Sequence, residues 1–167
     1  MKSKSRPTAP LRIIVTCLAF WGVALWLVSR FPIIEGFGIR ITVVSVRAAL
    51  GLLGHPVDLV GNVLHTGRTG MEIATDCSPH LAYLIFAGGV IATPASWRQR
   101  VIGLGVGALA IHVFNTLRIL ALYAVLAARS NWFEFVHVYL WQIGTIGAVL
   151  GAFTLWLMWT GRRAPTA

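Results

Sequence analysis

Residues 101–128 read VIGLGVGALAIHVFNTLRILALYAVLAA, a run whose one charged side chain is Arg118. A membrane hydrocarbon core is about 30 Å thick and takes about 20 apolar residues to cross as a helix, so this stretch predicts a transmembrane helix. Three further runs have the same character: Ile13–Ser29, Pro79–Ala95 and His137–Trp159. Working outward from them, the expected fold is an all-α polytopic membrane protein, a four-helix transmembrane bundle forming one integral membrane domain over residues 1–167.

Composition agrees. Of the 167 residues, 57% are hydrophobic and 11% charged, against roughly a quarter charged in a soluble domain, and the mean hydropathy is +0.77. The net charge of +9 does not indicate nucleic acid, because the bases lie at the ends of the apolar runs, where Lys and Arg orient membrane proteins. Lys2, Lys4, Arg6 and Arg12, then Arg98 and Arg100, then Arg162 and Arg163 fall on one side if each run crosses once. That side is expected to be cytoplasmic, with residues 31–76 outside. The basic start resembles a signal-peptide n-region, but no small-x-small cleavage site follows Trp26, so the first run reads as an uncleaved anchor.

Parity constrains what lies between the first two runs. The stretch Ile33–Gly54 must cross twice or not at all, and Arg40 and Arg47, seven residues apart on one helical face, suit an amphipathic helix at the outer interface. Beyond it, Val57–Leu64 and Met71–Thr75, separated by Thr66–Gly70, predict a small outer β-hairpin that delivers the chain to Cys77.

Cys77 stands in Asp76-Cys77-Ser78-Pro79-His80, where Pro79 suits a first helical turn and a helix N-terminus favours a thiolate. Arg118 comes seventeen residues after Val101, about 25 Å along the axis, in the outer part of the membrane, where a buried arginine usually faces the bundle interior or a wet cavity. Asn115 lies one turn before it. His137 opens the last run, and His137, Trp141, Gly144, Ala148 and Gly151 form one stripe expected to face the bundle. Cys77, Leu81, Leu84, Gly88 and Ile91 form another, and Gly103 and Gly107 give a close-packing seam. Cys17, inside the first run, reads as a buried core thiol. Topology thus brings a thiol, a fixed cation and an imidazole to one outer level. Thiolate attack on a carbonyl needs a base, a positive group for the oxyanion and an acid for the leaving amine. Cys77, Arg118 and His137 are the candidate catalytic residues, with Asn115 and Asp76 supporting them.

The order of a Cys-Ser helix start, Asn115-Thr116-Leu117-Arg118-Ile119 and His137-Val138-Tyr139-Leu140-Trp141-Gln142 resembles the exosortase/archaeosortase family of membrane cysteine transpeptidases, most of all its short exosortase H branch. The likeness covers roughly residues 71–159. It implies a sorting enzyme of the bacterial cytoplasmic (inner) membrane, its site facing the periplasm. Its implied partners are secreted proteins whose C-terminal tail carries a recognition motif, an apolar helix and a basic cluster. Cys77, Arg118 and His137 would correspond to the family's cysteine, arginine and histidine, with no cofactor and no metal. Pro79 departs from the small residue the family usually has two places after the cysteine. Two other readings compete. His55, His65, His80, His112 and His137 motivate a haem or metal carrier, although no HxxxH or CxxC spacing supports one and His112 reads as a hydrogen-bonding residue of the bundle interior. A non-catalytic assembly factor or carrier explains the helices without the triad.

Overall fold

A computed structural model describes residues 8–66, 69–128 and 132–161, with no account of the side chains of Thr8, Ala9, Thr66, Thr69 and Asp76. The chain is mostly helical. Helix α1 spans Thr8–Arg30 and α2 spans Pro32–Leu52; the short strands β1 (Asp58–Val60), β2 (Val63–Thr66) and β3 (Thr69–Glu72) follow, then a 3-10 turn, Thr75–Cys77. Helices α3 (His80–Ala92) and α4 (Trp97–Ala127) come next, then a helical turn α5 (Phe133–Phe135), a π-helical turn Val136–Leu140 and α6 (Trp141–Gly161).

Among the described residues, three helical stretches are long and apolar enough to cross a membrane: Pro10–Arg30, Trp97–Ala127 and Phe133–Gly161. The expected fourth span is shorter than its apolar run. Helix α3 has 13 residues, about 20 Å at the helical rise, which is less than a hydrocarbon core. Prolines set both ends. Pro79 occupies the N-cap, and Thr93 is forced to extended backbone (φ −77°, ψ 135°) by Pro94 after it. Ser96 then opens α4 with a reciprocal capping box to Gln99, satisfying backbone donors that would otherwise be orphaned at the helix start.

The bundle is assembled by aromatic rings seated on glycines. A Cβ on Gly103 would collide with the Trp156 indole, one on Gly107 with the Phe86 ring and one on Gly88 with Trp21. The Gly103/Gly107 seam therefore serves packing within the chain, and it sets the register. Trp156 Nε1 donates to the Gln99 carbonyl at 3.0 Å, and Trp21 Nε1 to the Leu84 carbonyl at 3.2 Å. In each pair one helix runs antiparallel to the other. Ala82, Phe86, Val90, Ile111, Val149 and Trp156 form the core where α3, α4 and α6 meet. Of the stripe expected on α3, Leu84 and Gly88 meet Trp21 of α1, whereas Leu81 is 52% exposed, and the face toward α4 and α6 is made by Ala82, Phe86 and Val90. Cys17 is half-buried, its Sγ 3.5 Å from the Gly88 carbonyl oxygen.

The segment between α2 and α3 differs from a single hairpin. Gly61, with φ +63°, turns the chain inside the stretch expected to be one strand, because a left-handed position suits glycine. The result is a three-stranded antiparallel meander, order β1-β2-β3, with Val60 opposite Val63 and Leu64 opposite Met71. Gly67 and Arg68, at the second turn, lie outside the described residues, as do Arg129–Asn131 and the basic residues Lys2, Lys4, Arg6, Arg162 and Arg163. One face of the sheet buries Leu64 and Met71, and with Val57 and Ile73 they pack on Val43, Val46 and Leu50 of α2 and Ile119 and Tyr123 of α4. Helix α2 has a second apolar face, on which Ile33, Phe37, Ile41 and Val44 are exposed.

Candidate active site

Cys77 does not begin α3. It ends the 3-10 turn Thr75–Cys77, two residues before the Pro79 N-cap, so the helix dipole, which acts within the first turn, reaches it less than the sequence suggests. The turn is closed by the Cys77 N–H to the Ala74 carbonyl and the Ser78 N–H to the Thr75 carbonyl, both 2.9 Å. Cys77 itself is half-buried against the sheet-facing apolar core. Ser78, beside it, faces α2: a Cβ on Gly38 would lie 2.7 Å from Ser78 Oγ. Gly38 thus lets α2 press against the residue next to the thiol, a contact that no sequence pattern announces.

From α4, Asn115 reaches across to this turn. Its Nδ2 donates to the Cys77 carbonyl at 2.9 Å, and the side chain is 3% exposed. Its Oδ1 accepts from Arg118 Nη1 at 3.5 Å. The amide therefore bridges the backbone of the cysteine to the guanidinium one turn further along α4. Arg118 Nε is buried with no hydrogen-bond acceptor, leaving the guanidinium with donor capacity beyond Asn115. Three of the sequence-predicted residues, Cys77, Asn115 and Arg118, are brought together. Asp76 contributes its backbone to the 3-10 turn, and its side chain lies outside the described residues.

His137 comes from a different element. It sits in the π-helical turn Val136–Leu140, its ring stacked on Phe133 at 5.7 Å and 18°, and it is not hydrogen-bonded to Asn115 or Arg118. The expected stripe from His137 to Gly151 is broken by this turn, because an i to i+5 spacing rotates His137 relative to the residues below. Within the stripe, Gly144 is met by Phe114 while a Cβ on Gly151 would meet nothing. Packing nonetheless sets the level of His137. Helices α4 and α6 run antiparallel, with Gly103 against Trp156 and Phe114 against Gly144 and Trp141. Continuing that register one turn takes Arg118 to the level of the π-helical turn. Such single π turns inside helices are frequent at functional sites.

One polar cluster lies beneath. His112 Nε2 is 2.8 Å from Ser45 Oγ of α2, and its Nδ1 is 3.0 Å from the Tyr83 hydroxyl of α3. The reading of His112 as an interior hydrogen-bonding residue fits these contacts. Its partners carry no sequence signal, since they lie 67 and 29 residues away. Among the described residues, no three His, Cys, Asp or Glu side chains converge as metal ligands would.

No curated protein and no solved structure matches the chain. A family model does, that of the transmembrane exosortases of the EpsH type, over residues 7–160. With that match spanning nearly all of its length and with apolar helices able to cross a bilayer more than once, this multi-pass membrane protein belongs to the transmembrane exosortase family.

Proposed function

We propose that the protein is a membrane-embedded cysteine peptidase and transpeptidase. It cleaves secreted proteins at a C-terminal sorting signal, on the outer face of the cytoplasmic membrane, and transfers them to an acceptor. The observation that carries this reading is the bridge from the Cys77 carbonyl through Asn115 to Arg118, in a chain of the exosortase family. His137 takes the proton of Cys77, and the thiolate attacks the scissile carbonyl carbon. A C–S bond forms and the carbonyl electrons move to oxygen, where the Arg118 guanidinium stabilises the charge. Collapse breaks the C–N bond, and the amine leaves with the proton held by His137. Water or another nucleophile then attacks the thioester carbonyl and gives its proton to His137; the C–S bond breaks, and the Cys77 thiolate leaves and recovers the proton from His137. Asn115 fixes the cysteine turn and the guanidinium relative to each other, and Asp76 supports the cysteine from the preceding position.

Substrates on this reading are secreted proteins tethered in the lipid bilayer by a C-terminal tail with a recognition motif, an apolar helix and a basic cluster. Co-expression of the full chain with such a tail-bearing protein, followed by blotting, tests the reading. Processing by the parental chain and none by Cys77→Ser is expected, with a hydroxylamine-sensitive adduct on Cys77 of the parental chain. Full processing by Cys77→Ser would overturn it.

A further inference from the structure

The Ser45–His112–Tyr83 cluster does more than satisfy a half-buried imidazole. A neutral imidazole has one donor and one acceptor nitrogen, and here both are engaged by hydroxyls from two other helices, at 2.8 and 3.0 Å. His112 is therefore tied to α2 and α3 at once. Three residues further along α4, Asn115 makes the second directional contact to the α3 arm, at the Cys77 carbonyl. The two ties are about 4.5 Å apart along the α4 axis at the helical rise. Two separated ties fix both the slide and the rotation of one element against another, whereas one tie fixes a point and leaves a pivot. The apolar contact of Phe86 on Gly107 sets how closely α3 and α4 approach, but dispersion is not directional. Helix α2 closes the arrangement, touching α4 at Ser45 and the cysteine arm where Gly38 meets Ser78.

We infer that His112 is a positioning residue: bonded to Tyr83 and Ser45, it holds the α3 arm in the register that keeps Cys77 half-buried beside Asn115 and Arg118. The catalytic consequence rests on the function proposed above; the positional claim does not, and its test uses no substrate. Of the two bonds, the one to Tyr83 matters more, because Tyr83 lies on the helix that follows the cysteine turn.

The full chain carries its own control. Cys77 reports on the arm, and Cys17, held at the α1–α3 contact by the Gly88 carbonyl, reports on the packing of the bundle. Alkylation by N-ethylmaleimide in isolated membranes, resolved for each cysteine by mass spectrometry, is compared for the parental chain, Tyr83→Phe, Ser45→Ala, His112→Leu and His112→Asn. Loss of one tie shifts the local opening equilibrium by about tenfold, so Tyr83→Phe and His112→Leu should alkylate Cys77 about tenfold faster with the Cys17 rate unchanged. Ser45→Ala should have a smaller effect. His112→Asn, whose amide stands near the Nδ1 position, should restore the slow rate in part. Equal acceleration of both cysteines, absence of rescue by asparagine, or parental Cys77 rates in Tyr83→Phe would overturn the inference. Tyr83→Phe keeps the ring and decides the matter even where His112→Leu fails to accumulate. Failure of the functional reading appears separately, as processing by Cys77→Ser with the alkylation pattern intact.

Discussion

Asn115 Nδ2 donates to the backbone carbonyl of Cys77 at 2.9 Å, and this bond ties α4 to the turn that ends in the cysteine. A side-chain amide suits the position because it donates to the carbonyl and accepts from Arg118 at the same time, which no carboxylate does when ionised. Asn115→Asp should therefore strengthen the pairing to Arg118, place an acceptor against the Cys77 carbonyl and abolish processing while the protein still accumulates. Asn115→Ala leaves the carbonyl and the guanidinium without this partner and should lower stability by about 1–3 kcal/mol, read as a lower thermal midpoint in detergent. Processing by Asn115→Asp at the parental rate would show that the bridge is dispensable.

The two cysteines should separate cleanly. Cys77→Ala and Cys77→Ser are expected to abolish processing at nearly unchanged protein level, since serine has no thiolate chemistry near neutral pH. Cys17→Ala should be close to silent, because it gives up a single weak contact to the Gly88 carbonyl. Blotting of substrate and enzyme in the same cells measures both.

At Arg118, charge and geometry can be distinguished. Arg118→Lys keeps the charge but loses the planar fork, and it should fail almost as badly as Arg118→Ala. Losing one oxyanion donor costs about 2.7–4 kcal/mol, on the order of a hundred- to a thousandfold in rate. Initial rates of substrate loss give the comparison, and parental turnover by Arg118→Ala would make the arginine a mere anchor.

The glycine seats predict where bulk is tolerated. Gly107→Leu drives a side chain into the Phe86 ring and Gly103→Leu into Trp156, overpacking that costs about 1–3 kcal/mol. Gly147→Leu, where a Cβ meets nothing, should leave the thermal midpoint in place. Equal melting of all three would contradict the packing described above.

Topology is tested at the sheet. Val60 on β1 is 66% exposed, and Val60→Cys, in a chain with Cys17 and Cys77 replaced by alanine, should react with an impermeant thiol reagent in intact cells. Labelling only after the cytoplasm is opened would reverse the orientation assigned from the basic residues.

The sequence by itself determined the membrane class, the long helices α1, α4 and α6, and the family, because hydrophobic run length and the Asn115–Arg118 element are local and survive in one dimension. It also set Cys77, Arg118 and His137 as candidates at one level, since the helical rise converts sequence separation into depth, while the bonds that join Cys77 to Arg118 run through Asn115. Only the tertiary structure decided the rest. Prolines at both ends shorten α3, and Gly61 turns an expected strand into two. The π-helical turn moves His137 off its stripe, which a fixed period of 3.6 does not anticipate. The pairing of Ser45 and Tyr83 with His112, and of Gly38 with Ser78, depends on how three helices cross. Crossing is set by which rings find which glycines, and that complementarity exists only once the helices have met.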